Sequence, residues 1–103
     1  MKFVIKKPRP VEDDQLAAAV WYDQQQAGLG DDFLDESESV IAALSTTALL
    51  YSAKFADVRC VRLRRFHQYG VFYVIRGQEV HLLAIQHGAR HPRRLHERRQ
   101  QLG

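Results

Sequence analysis

The stretch from Arg59 to Arg90 constrains the fold more than any other. It reads as three short strands joined by tight turns: Arg59–Phe66, Tyr69–Arg76 and Glu79–His87. Each is rich in β-branched, aromatic or aliphatic residues and bounded by a turn signal. Arg76-Gly77-Gln78-Glu79 is a short connection in which Gly77 can take a positive φ without steric cost. Links this short join only antiparallel neighbours, so the stretch is a meander. Its first strand alternates most clearly. Val61 and Leu63 point one way; Cys60, Arg62 and Arg64 point the other. One face should therefore meet a core while the other carries cations. The second and third strands are apolar in both phases, as central strands covered on both faces would be.

The 103 residues suit one domain with one core, residues 1–103. No apolar run approaches the roughly 20 residues of a membrane span. The apolar stretch after Met1 is too short for a secretory leader. The single Cys60 cannot form an internal disulfide. A cytoplasmic protein without a membrane is the expectation. The formal charge of +3 hides an asymmetry. Residues 1–53 carry a net −5 and residues 54–103 a net +8, and arginine dominates the basic half. Arginine suits planar anions, so that half is expected to meet an acidic or polyanionic partner.

Upstream, Phe3-Val4-Ile5 reads as a short strand ended by Pro8 and Pro10. A helix is expected from near Val11, with Leu16, Ala17, Val20 and Trp21 as its one apolar stripe. Gly28 reads as the residue that stops it. A second helix, capped by Asp31 or Asp32, repeats Phe33, Leu34, Ser37, Val40, Ile41 and Leu44 at helical spacing and fades near Ser45-Thr46-Thr47. Two such stripes demand a helical hairpin lying on the sheet, with Trp21, Phe33, Val40, Leu44, Val61, Leu63, Val71 and Tyr73 in one core. Residues 48–57 have no clear assignment, with Tyr51 and Phe55 expected to pin them. After the meander, Pro92 can open a helix whose only apolar residue before its last turn is Leu95. Its arginines should repel one another unless an anion lies between them, so that helix is expected to be weakly held.

Ala19-Val20-Trp21-Tyr22, Gly28-Leu29-Gly30-Asp31-Asp32-Phe33-Leu34, Val61-Arg62-Leu63-Arg64-Arg65-Phe66, Val71-Phe72-Tyr73-Val74-Ile75 and His87-Gly88-Ala89-Arg90-His91-Pro92 follow one another in this order. The ordered set resembles the RelE/ParE toxin superfamily, most of all the ParE-like branch of plasmid stabilization proteins, over nearly the whole chain. The resemblance implies an α+β fold: β-α-α-β-β-β, an antiparallel meander sheet, a helical hairpin on one face and a short C-terminal helix. It also implies that the first strand lies beside the last. The function it implies is the toxin of a type II toxin–antitoxin system, neutralised by a cognate antitoxin. The chain departs from the branch at Thr46-Thr47, where a proline is usual, and at Phe66-His67-Gln68-Tyr69, which is one residue longer than the usual turn and lacks its proline.

The superfamily divides by mechanism. RelE-like members are ribosome-dependent mRNA endonucleases, in which a 2′-hydroxyl attacks the next phosphate. That reaction needs a base, cations for the developing charge and an acid. Arg62 and Arg64 match the strand cations of that pattern and Arg90 the arginine after the last strand, with His87, His91 or His96 as acid or base. Gly70, however, falls where a second-strand arginine belongs. Arginine is effectively always protonated and cannot serve as the base. ParE-like members bind and inhibit DNA gyrase and require no catalytic set. The sequence reading therefore favours a gyrase inhibitor, leaning away from an enzyme, with Arg62, Arg64, Arg90, Arg93, Arg94 and Arg98 as target-binding residues. The alternatives are an mRNA interferase acting on the ribosome and its mRNA, or a non-toxic protein- or nucleic-acid-binding relic. No cofactor is expected. The spacing of His87, His91 and His96 is interrupted by Pro92 and does not suit a zinc site.

Overall fold

The computed structural model describes residues 2–88 and 91–102. The elements follow the order β1 (Val4–Lys6), α1 (Arg9–Gln25), α2 (Leu29–Thr47), a 3-10 turn (Ala48–Leu50), β2 (Ala53–Phe55), β3 (Val58–Arg62), β4 (Tyr69–Arg76), β5 (Glu79–His87) and α3 (Pro92–Gln100). They form an α+β fold on one mixed sheet of order β1-β5-β4-β3-β2. The meander is antiparallel, and β1 runs parallel beside β5, Ile5 opposite Val80. Gly77 turns between β4 and β5 at φ +60°. The sheet has five strands where four were expected, because residues 53–55 add a short edge strand beside β3. The first meander strand also ends at Arg62 rather than Phe66.

The register sends Val61, Leu63, Val71, Tyr73, Val80, Leu82 and Ile85 into one core with Val11, Phe33, Ile41 and Leu44 of the helices. Arg62 and Arg64 are exposed on the other phase, as the alternation of the first strand requires. Tyr73 is buried and its hydroxyl donates to the Ala48 carbonyl at 2.6 Å. Burial pushes its pKa up to about 12. Tyr22 stacks on Phe33 and meets Phe66 and Tyr69, closing the core at one end.

The first helix departs from expectation in three ways. It starts at Arg9, with extended Pro8 as its N-cap and Pro10 inside the first turn, where the missing N–H costs nothing. It stops at Gln25, and Gly28, at φ +89°, is the residue before α2 rather than the end of α1. Asp31 and Asp32 accordingly lie in the first turn of α2 and not at its cap. The third departure is the face it buries. Val11, Gln15, Ala18 and Ala19 point inward. Leu16, Val20 and Trp21 are 49%, 58% and 51% exposed, so the apolar stripe, with Ala17, faces solvent and Trp21 is outside the core. Val40 of α2 is only partly buried.

The physical reason is the closeness of the two helices. A Cβ on Gly30 would overlap the Ala19 carbonyl oxygen and lie 2.8 Å from the Asp23 carboxylate. Only alanine-sized residues fit at that crossing, and the bulky stripe must turn away. Buried Gln15 is satisfied by Ser37 at 2.7 Å and by Glu38 at 2.8 Å, and Lys7 completes the set.

The second sheet face holds a smaller cluster of Val58, Cys60, Phe72, Val74, Leu83 and Ala84, covered by Leu95 of α3. A β-bulge between Phe72 and Tyr73 shifts the β4–β5 register. Beside it, Asp14 of α1 accepts from the Ile85 N–H at 3.1 Å and Arg98 of α3 donates to the Leu83 carbonyl at 2.9 Å. These are the side-chain partners that an irregular ladder calls for. Asp14 also takes two hydrogen bonds from Arg98, at 2.6 and 3.2 Å, and Arg99 pairs with Asp57 at 2.6 Å. The expectation of a weakly held tail is therefore corrected: the anions that separate its arginines are supplied by the chain itself. No helix among the described residues is long and apolar enough to cross a membrane.

Candidate functional site

The arginines divide into two groups. Arg9, Arg65, Arg76, Arg94, Arg98 and Arg99 each have a carboxylate within ion-pair distance, contributed by Asp13, Asp32, Asp57 or Asp14. Among the described residues, Arg59, Arg62, Arg64 and Arg93 have none; Arg59 is half-buried and donates to the Tyr51 carbonyl, and the other three are exposed. Arg62 ends β3 and donates to the His67 carbonyl at 3.1 Å. Arg64 is set by its backbone: its N–H and that of Arg65 both donate to the Glu36 carboxylate, at 2.6 and 3.2 Å, which fixes the loop after β3 to α2. Arg98 has its guanidinium clamped by Asp14, whose side chain is only 7% exposed. Of the six arginines named from sequence, Arg62, Arg64 and Arg93 are thus available to an external anion. Arg94 is partly engaged, Arg98 is committed to the fold, and Arg90 lies outside the described residues.

Arg62 stands opposite Gly70, Gly70 opposite Gln86, and Arg94 donates to the Gln86 side chain at 3.0 Å. One row across the sheet thus carries a cation at either side of Gly70. The place of the missing second-strand arginine is not vacant. A Cβ on Gly70 would lie 2.6 Å from the Cys60 sulfur. Burial raises the pKa of that thiol above its ordinary value, against the pull of Arg62 and Lys54, so it stays neutral and acts as packing.

The histidines are dispersed. The His96 ring lies 4.6 Å from Phe55, near Val58 at the start of β3. Four residues, roughly 13 Å of strand, separate that end from Arg62. His87 meets the Tyr69 ring at 5.6 Å and the Gln68 side chain at 3.2 Å. It lines, with Trp21, Tyr22, His91 and Arg94, an open cleft of about 530 Å³ between α1 and the end of β5. His96 is not among its walls. No group of three or more His, Cys, Asp or Glu among the described residues could hold a metal ion. Permanent cations gather around Arg62 and Gly70, His96 belongs to the far end of the strand, and His87 and His91 share the cleft with Arg94. The sequence reading missed Asp14 and Asp57 as the fasteners of α3, since each is a lone acid with no local pattern to mark it. It also missed the exposed Trp21.

No protein-family model matches the chain, and no curated protein sequence matches it. Among solved structures, the chain is similar to one described as the chromosomal ParDE TA system from P. aeruginosa, with a TM-score of 0.74 at 16% identity. The superposition covers 84% of this chain and 97% of that one. At that identity the likeness concerns the fold alone, an α+β arrangement of a helical hairpin and a mixed sheet.

Proposed function

We propose that this chain is the toxin of a type II toxin–antitoxin system, of the ParE-like kind, acting in the cytoplasm by binding DNA gyrase and neutralised by a cognate antitoxin. The fold shared with a ParDE chain supports the system. The observation that carries a binding rather than a cleaving mode is the absence of a cation at Gly70, where Cys60 fills the space that a second-strand arginine would need. Arg62, Arg64 and Arg93, whose side chains have no carboxylate within ion-pair distance among the described residues, are the residues assigned to the target.

Controlled expression in bacteria tests the reading. Growth should stop with DNA synthesis failing before protein synthesis, and the product of the neighbouring gene should restore it. Purified protein should block supercoiling by gyrase and leave mRNA on translating ribosomes intact. Efficient ribosome-dependent cleavage would instead establish the interferase alternative and give Arg62, Arg64, Arg90 and one histidine catalytic roles. Growth unaffected at high expression would leave only the non-toxic relic.

A further inference from the structure

The outward face of α1 carries three of the large apolar residues that the fold leaves exposed, Leu16, Val20 and Trp21. Its buried side is Val11, Gln15, Ala18 and Ala19. The side directly opposite consists of Arg9, Asp13, Leu16, Ala17, Val20 and Gln24, with Trp21 at its margin, and every one of these is exposed. A stripe of this size on a helix otherwise rimmed by polar residues marks an interaction surface. We infer that this face pairs with a second copy of the same chain, α1 antiparallel to α1 about a two-fold axis between residues 18 and 19.

The pattern of the face selects this occupant. In a two-fold antiparallel pair centred there, residue i of one copy lies level with residue 37 − i of the other. Ala17 comes level with Val20, a small residue against a branched one, which lets the backbones approach to the usual 8–10 Å between helix axes. Leu16 comes level with Trp21, one on each margin of the seam, so the apolar area is continuous across the axis. Asp13 comes level with Gln24, an acceptor facing a side-chain amide donor. Arg9 comes level with the chain just beyond the partner helix, whose last turn contains no basic residue. There its guanidinium meets the negative end of the helix dipole. It is free to do so: its own contact, to Asp13, is 3.7 Å long and 87% exposed on the arginine side. No two like charges oppose one another in this register. The other exposed apolar pair, Leu49 and Leu50, lies on a three-residue turn and has no such self-complementary register.

The face comprises seven residues on each copy, against the roughly 20–30 a side of a standard stable interface. A weak, concentration-dependent dimer is therefore expected. Sedimentation velocity on the full chain, from low micromolar to near-millimolar concentration, should show monomer giving way to dimer. Val20→Glu should remain monomeric throughout, with unchanged circular dichroism and melting, because Val20 makes no core contact. Arg9→Glu should weaken dimerisation by about two- to five-fold. Val20→Cys, next to the axis, should form a disulfide-linked dimer on mild oxidation. Leu50→Cys, at the more exposed position (78%), should not, and the wild-type chain, whose Cys60 is buried, should form none. A chain monomeric at every concentration, Val20→Glu dimerising like wild type, or Leu50→Cys cross-linking as readily as Val20→Cys would each overturn the assignment.

Discussion

The two helices of the hairpin are made from similar material and put to opposite uses. In α2 the large apolar residues are the ones buried: Phe33, Ile41 and Leu44 all lie in the core. In α1 the large apolar residues Leu16, Val20 and Trp21 are outside, and the core receives Val11, Ala18, Ala19 and a glutamine. Periodicity identifies residues that share a face; it does not say which face turns inward. That choice is made at the crossing, where Gly30 lies against the Ala19 carbonyl and leaves no room for a larger side chain. Buried apolar surface drives folding. Here the close approach of two backbones decides which apolar surface is available to be buried.

The sharpest test sets two aromatic residues against each other. Phe33→Ala removes a fully buried ring in contact with Tyr22, Phe66 and Tyr69. It should cost about 3–5 kcal/mol in denaturant unfolding. Trp21→Ala removes a larger side chain that is half in water and should cost under about 1 kcal/mol. Equal losses would mean that α1 is rotated relative to the arrangement described.

Gly30→Ala probes the crossing itself. In an open helix this substitution stabilises by up to about 1 kcal/mol. At Gly30 the new methyl meets the Ala19 carbonyl, a backbone group that cannot swing aside, and displaces the Asp23 carboxylate that accepts the Gly30 N–H at 2.7 Å. A loss of about 1–3 kcal/mol is expected in the same unfolding assay. A gain would show that the helices can separate cheaply.

This contrast marks how far the sequence could be read. The strands Tyr69–Arg76 and Glu79–His87 were legible to the residue, because two runs of strong β-formers meet at the Gly77 turn. The outward direction of Arg62 and Arg64 followed from simple alternation. The stripe of α2 was legible because its large residues and its buried residues coincide. The stripe of α1 was legible as a stripe and misread as core. Residues 53–55 make too short a strand to show any period, and they pair only through β3. At the candidate site, the cations were visible as residue types, but their availability was not. Asp14 lies 84 residues from Arg98 in the chain, and only the fold brings the two together.

Gln15 gives a smaller effect on the same seam. It is the one large polar residue on the buried side of α1, and it joins Ser37 and Glu38 of α2 to Lys7. Gln15→Ala takes away the donor to the Ser37 hydroxyl, which then keeps only its own bond to the Leu34 carbonyl, and should cost about 1–2 kcal/mol. Gln15→Ala combined with Ser37→Ala should cost less than the two single losses added, because each single change already removes the bond that the two share. Strict additivity of the pair would deny that the two side chains act together.

The smallest effect expected is a pH dependence of the hairpin at Glu38. The Lys7 hydrogen bond, at 2.6 Å, is the main cause that holds this carboxyl below its ordinary value of 4.5, with Gln15 adding to it and partial burial opposing. A carboxyl lowered on folding favours the folded state while it is ionised. Its contribution is therefore complete above pH 4.5 and is lost as pH falls from there through the lowered folded value. Glu38 is 57% exposed, so water and salt screen the pair, and the contribution should stay below about 1 kcal/mol. Glu38→Gln keeps the side-chain shape and removes the titration. Measured by denaturant unfolding from pH 7 to pH 3, the wild type should lose slightly more stability than Glu38→Gln, and the difference should shrink at high salt. Parallel curves for the two proteins would mean that Lys7 reaches across the hairpin without fastening it, leaving the Gly30 crossing and the Gln15–Ser37 pair to hold α1 in the orientation that exposes its stripe.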